Sequence, residues 1–120
     1  MGAWDNKILN DPVNTDFLDE LATLDDDEIV EAVADACKLL LGDPHVTDDD
    51  RVNGQCAATI AAIWAGAPYS AGDVVEEYPF IRELIGSGDE SLYDDATSVL
   101  EEVDEEYDTE PYIEALGVVA

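Results

Sequence analysis

Basic residues are scarce in this chain. Lys7, Lys38, Arg51 and Arg82 stand alone against 31 Asp and Glu in 120 residues, for a formal net charge of −27. Direct binding to a nucleic-acid backbone needs a cationic footprint, and this composition has none. Docking on anionic membranes through polybasic segments is disfavoured for the same reason. Histidine is nearly absent too, with His45 alone, and Cys37 and Cys56 are too few to form a disulfide framework. No apolar run approaches the roughly 20 residues of a membrane-spanning helix. Nor do β-branched residues alternate over a strand-length run, which argues against a sheet. The opening MGAWDNK has no basic region followed by an apolar one. A cytoplasmic location is therefore expected.

What remains is a chain with 47% hydrophobic residues, the proportion of a folded protein and well above that of an acidic disordered tail. Its length is that of one domain and suffices for a core without staples. The acid therefore decorates a folded body. It is also distributed unevenly. From Val52 to Gly72 the chain carries no charge at all, and the heart of that stretch reads NGQCAATIAAIWAGAP. With Asn53 as a cap, Cys56, Ala57, Ile60, Ala61, Ile63 and Trp64 cover most of the circumference of a helix ended by Gly66 and Pro68. A helix apolar all round is an enclosed one, and an unpaired carboxylate there would have to be desolvated at high cost. This stretch is expected to be the central helix.

Helical spacing recurs on both sides. Phe17, Leu18, Leu21, Ala22 and Leu24 form a short stripe after Asn14 or Thr15, either a suitable cap. Asp25 and Glu28 open the clearest amphipathic pattern, carried by Ile29, Val33, Ala36, Cys37, Leu40 and Leu41 and closed by Gly42 and Pro44. Pro79 forbids an unbroken helix through Val74 to Ile85, so a turn followed by a helix from about Pro79 to Ile85 is expected. Ser87 and Glu90 fit a capping box before Leu92, Tyr93, Ala96, Val99, Leu100 and Val103. A last short helix runs from Pro111 to Leu116 and stops at Gly117. The expected architecture is all-α, a compact single domain over 1–120 with five or six helices around the Ala-rich one. Trp4, Ile8 and Leu9 imply that the segment 1–13 is tied onto the body, with the indole N–H seeking a partner.

Motifs for chemistry fail on spacing. Counted from Asp49, a calcium loop would place Arg51 at its third position and Ile60 at its twelfth, where a bidentate Glu is required. Cys37, Cys56 and His45 lack the paired spacing of a zinc site, and both cysteines lie on apolar faces. No serine lies in a nucleophile elbow and no glycine-rich phosphate loop carries a lysine. No catalytic, cofactor or metal residue is therefore assigned. The densest acid includes Asp94, Asp95, Glu101, Glu102, Asp104, Glu105, Glu106 and Asp108. Like charges at neighbouring helical positions cost stability, so the run is either a solvated face or a contact for a basic protein.

The quoted opening also bears a resemblance. Met-Gly-Ala-Trp at 1–4, Asn10-Asp11, and DFLDEL from Asp16 to Leu21 resemble the start of a bacterial family of small proteins, domain of unknown function 4259. An Ala-rich helix before a Gly-x-Pro, here Ala57 to Pro68, is similar as well. The family pattern often has Gly and Phe between the Trp and the Asn-Asp pair, where this chain has DNKIL. The resemblance implies an acidic, mostly helical, cytoplasmic protein and brings no activity with it.

Three functional readings follow. The first is a non-enzymatic binding module for a basic protein, immunity-like or inhibitor-like. The second is a small-molecule or divalent-metal module. In the third the acid serves only solubility or adaptation to salt, in keeping with 18 Asp against 13 Glu and only two Lys.

Overall fold

The computed structural model describes residues 4–42, 45–67, 69, 72–103 and 109–119, with side chains to Gly117. Among these residues there are eight helices and no strand. They are α1 (Trp4–Leu9), α2 (Pro12–Leu21), α3 (Asp26–Gly42), α4 (Asp48–Trp64), α5 (Gly72–Glu77), α6 (Phe80–Glu83), α7 (Glu90–Glu101) and α8 (Glu110–Val119). The molecule measures 30 × 30 × 28 Å with a radius of gyration of 12.6 Å. The helices surround one contiguous apolar core. The all-α expectation holds. The count of five or six helices is too low because α1 and α5 are six residues long, below the length at which apolar periodicity is readable, while α6 falls within the helix expected from about Pro79 to Ile85.

α4 is the axis of the fold. It touches α3, α7, α8, α1, α2 and α6. From Cys56 to Trp64 every side chain is buried, and Ile60, Ile63 and Trp64 are at most 1% exposed. The expected central helix is therefore present, but it begins earlier. Asn53 does not cap it. Thr47 does, accepting from the Asp50 N–H at 3.1 Å, and Asp48, Asp49 and Asp50 fill the first turn. Carboxylates there face the unpaired N–H groups and the positive end of the helix dipole, which explains why this helix starts charged and becomes apolar once it enters the core. At its other end Gly66 adopts φ +106°, and the N–H groups of Gly66 and Ala67 donate to the carbonyls of Ile63 and Ala62. This is a Schellman closure, and it needs a residue at ease in the left-handed region.

Other caps also shift by a few residues. α2 starts at Pro12 with Asp11 as its cap, whose carboxylate accepts from the Val13 N–H at 3.0 Å. Asn14, expected to cap, is buried inside α2 and donates from Nδ2 to the Ile8 carbonyl at 2.7 Å. It thereby ties α1 to α2. Around Pro79 there are two short helices: Val74 and Val75 of α5 and Phe80 and Ile81 of α6 are buried, with Pro79 between them. α7 is capped by Asp89, whose carboxylate accepts from the Leu92 N–H at 2.8 Å, so the Ser87 and Glu90 box does not form. α8 continues through Gly117 to Val119.

Gly54 lets α4 come close against α3. A Cβ built on it would lie 2.8 Å from Leu40 Cδ2, 3.0 Å from Leu40 Cβ and 3.3 Å from the Ala36 carbonyl oxygen. α3 and α4 therefore meet backbone to side chain at this point. Gly54→Ala should lower stability by about 1–2 kcal/mol in urea unfolding, because the clash outweighs the roughly 1 kcal/mol that Ala gains over Gly in a helix. A stabilised variant would show that the two helices are free to move apart.

Candidate interaction surface

The core leaves few polar groups inside. Among the described residues the buried polar or charged ones are Asp5, Asn14, Thr59 and Thr109. Thr59 lies on α4, where its hydroxyl accepts from Trp4 Nε1 at 2.9 Å and donates to the Gln55 carbonyl at 2.8 Å. The indole thus finds the partner its position calls for, and the segment 4–9 is fastened to the central helix. Lys7 Nζ sits 5.8 Å from the centre of the Trp4 ring, within cation–π range. Asp5 is the one fully buried carboxylate among these residues. Tyr112 Oη donates to Asp5 Oδ1 at 2.6 Å and accepts from the Asp5 N–H at 3.2 Å, joining α1 to α8. These residues act as fasteners across long sequence separations. No spacing in the sequence pointed to the Asp5–Tyr112 pair.

α7 carries the described part of the predicted acidic face. Its apolar side, Leu92, Tyr93, Ala96, Val99 and Leu100, is buried, so its acids are turned outward. Asp94 and Glu101 are exposed and two turns apart, on one outward stripe with the exposed Ser98. Asp95 is half-buried and lies close enough to α3 to act on Cys37. Glu102, the C-cap, is exposed. Asp104, Glu105, Glu106 and Asp108 lie outside the described residues. The structure thus gathers four of the eight expected residues on α7 and its cap.

Beside this helix lies a cleft of about 450 Å³ among the C-terminal end of α3, the first turns of α4 and the last turns of α7. Leu40, Leu41, Val46 and Val99 supply apolar lining, with Arg51, Gln55 and Glu102 as polar lining. Leu41 is 39% exposed and the neighbouring Leu39 is 45% exposed. Apolar spacing places both Leu40 and Leu41 on the core-facing stripe of α3. Leu40 is half-buried against the core, whereas Leu41, one residue on and so about 100° further round the helix, is turned to solvent.

The remaining chemical candidates are dispersed or inert. The calcium-like segment from Asp49 is helical and offers no loop. His45 is exposed while both cysteines are buried. Burial pushes the Cys37 thiol up to about 12, with Asp95 adding to the effect, and burial also raises that of Cys56. Neither has the lowered pKa of a reactive thiol. A shallower hollow between α2 and α4 is lined by Asp16, Glu20 and Asp49. Among the described residues, however, no group of three or more His, Cys, Asp or Glu is placed to hold a metal ion.

Two side-chain pairs yield measurements. Tyr112→Phe removes a donor from the buried Asp5 carboxylate, so unfolding should cost about 2 kcal/mol less in denaturant titration. An unchanged midpoint would mean that water reaches Asp5. Tyr78, whose buried ring ends in a hydroxyl donating to the exposed Asp19 at 2.6 Å, has its pKa pushed up to about 12 by that hydrogen bond first and by desolvation second. The folded state holds this proton more tightly than the unfolded one, whose tyrosine titrates near 10. The contribution is complete below pH 10 and is lost between about pH 10 and 12. Tyrosinate absorbance should show one fewer group ionising at pH 11 than in Asp19→Ala.

No protein-family model, curated protein or solved structure matches this chain, so the resemblance of its opening residues stands on those residues alone.

Proposed function

We propose that this protein is a non-enzymatic acidic binding module that recognises a basic protein, in the manner of an immunity protein or inhibitor that neutralises a basic toxin or nuclease. One observation carries the reading. A charge of −27 is carried by a body whose described carboxylates, Asp5 apart, all lie outside the core. A surface of one sign attracts partners of the opposite sign over a Debye length, accelerates their encounter and rejects other acidic surfaces. The outward stripe of Asp94 and Glu101 with Glu102 supplies a rigid part of that surface, because α7 is fixed against α3, α4 and α8. The same field argues against direct contact with nucleic acid. A bacterial cytoplasmic setting belongs to this reading through the likeness of the opening residues.

A second reading has its own support. Consecutive exposed acids at Asp25 to Glu28, and at Asp48 and Asp49, with four basic residues in the whole chain, are what adaptation to high salt would produce. One ionic-strength series separates the two. On the binding reading, the immobilised protein retains a basic protein of its native host in low and moderate salt. Association slows about tenfold or more when salt rises from about 50 to 300 mM, and the double variant Asp94→Lys, Glu101→Lys slows it further at low salt. The fold should meanwhile be fully formed at low salt. Absence of any basic partner, together with a fold that forms only in molar potassium chloride, would establish salt adaptation instead.

A further inference from the structure

The acidic surface has an apolar notch in it. The cleft bounded by α3, α4 and α7 places Leu40, Leu41, Val46 and Val99 beside Arg51 and Glu102. Its volume of about 450 Å³ falls within the range of pockets that receive a defined ligand or a large anchoring side chain, roughly 300–1,000 Å³. Leu39 and Leu41 are two of the four large apolar side chains left substantially exposed among the described residues, and both lie on the last turns of α3. Among the described residues, α3 thus ends in an apolar edge on a mostly acidic surface.

Charge decides what fits there. The lining itself holds one acid and one base, Glu102 and Arg51, with Glu101 next to Glu102 in the chain, so the charge that an occupant meets is chiefly that of the whole chain, −27. A second copy of this chain would bring another −27 to the same place and is repelled. An acidic peptide is repelled likewise. A purely cationic segment satisfies the rim and leaves the leucines wet. A basic amphipathic helix satisfies both, with apolar side chains at i, i+3, i+4 and i+7 entering the cleft and Lys or Arg on its flanks meeting the carboxylates.

We infer that this cleft is the docking site for a basic amphipathic helix of the partner protein, anchored by apolar side chains against Leu40, Leu41 and Val46. The inference rests on the proposed recognition of a basic protein and adds to it the place and the secondary structure recognised. Energy in such contacts concentrates on a few desolvated anchors, and the charged rim governs the rate of encounter. Leu41 is the exposed anchor, Glu102 the rim.

The test uses two synthetic peptides of equal length and charge, titrated into the whole protein. One is a 15-residue Leu/Lys peptide with leucines at helical spacing. The other has its leucines replaced by serine. The Leu/Lys peptide should bind one to one, become helical on binding and shift the amide resonances of residues 39–42, 46–55 and 98–102. The serine peptide should bind at least about tenfold more weakly. Leu41→Glu should cost the Leu/Lys peptide about tenfold in affinity, while Ile85→Glu, the same change at a residue 49% exposed and outside the cleft, should leave it within about twofold. Circular dichroism of both variants checks that the fold is kept. Equal binding of the two peptides, insensitive to Leu41→Glu, would overturn the cleft and leave the acidic surface standing. No binding of either peptide at low salt would overturn both. A protein dimer that Leu41→Glu dissolves would replace the partner helix with self-association.

Discussion

The enclosure of α4 on all sides is the constraint from which the rest follows. From Cys56 to Trp64 this helix has no solvated face, so its side chains there are apolar apart from the hydrogen-bonded Thr59 and the indole N–H of Trp64, which has no partner among the described residues. Burying Ile60, Ile63 and Trp64 contributes about 1.5–3 kcal/mol for a side chain of this size. A single unpaired carboxylate in their place costs several kcal/mol even after relaxation, enough to cancel more than one of them. The stretch without charge is therefore a requirement of the packing. The one hydroxyl admitted well inside, that of Thr59, both accepts from Trp4 and donates to the backbone of its own helix.

Small residues make this enclosure possible. Ala57, Ala58, Ala61 and Ala62 let neighbouring helices approach α4 closely, and Gly54 does the same toward α3 where a methyl group would collide. Close approach brings dense packing at the price of long-range restraint, since α4 itself offers few large side chains to hold its neighbours in register. The restraint is supplied from the edges. Trp4 reaches Thr59, Tyr112 reaches Asp5 and Tyr78 reaches Asp19, each across more than fifty residues of chain. These hydrogen bonds fix where the short elements and the two ends of the described chain lie on the bundle.

With Asp5 the one carboxylate buried among the described residues, the rest of their acid lies at or near the surface. Its density there raises self-repulsion, and its long reach gives the protein a field that favours cationic partners. The outward stripe of α7, with Asp94 and Glu101, is the rigid part of this field, and the apolar end of α3 lies next to the cap of that helix. Charge by itself selects the sign of a partner. On the proposed recognition of a basic protein, the apolar notch adds shape to that selection.

Much of this was legible from order and composition. Apolar periodicity located α3, α4, α7 and the body of α2, because a helix that packs on one side must repeat every three to four residues. The charge-free stretch disclosed the central helix, because burial excludes carboxylates wherever it occurs. The early Trp4 pointed to a segment packed on the body, and residues 4–9 are so packed, while 1–3 lie outside the described residues. Local chemistry was ambiguous in its detail: Asn53, Asn14 and Ser87 are all competent caps, yet Thr47, Asp11 and Asp89 cap instead. Several candidates lie within a turn of each other, and packing selects among them. α1 and α5 are too short to show a period, and α6 is shorter than the helix expected around it. The Asp5–Tyr112 pair, the exposure of Leu41 and the cleft beside it were decided by tertiary structure alone. They depend on where one helix ends relative to another, and that distance is set by how the helices fill space around α4.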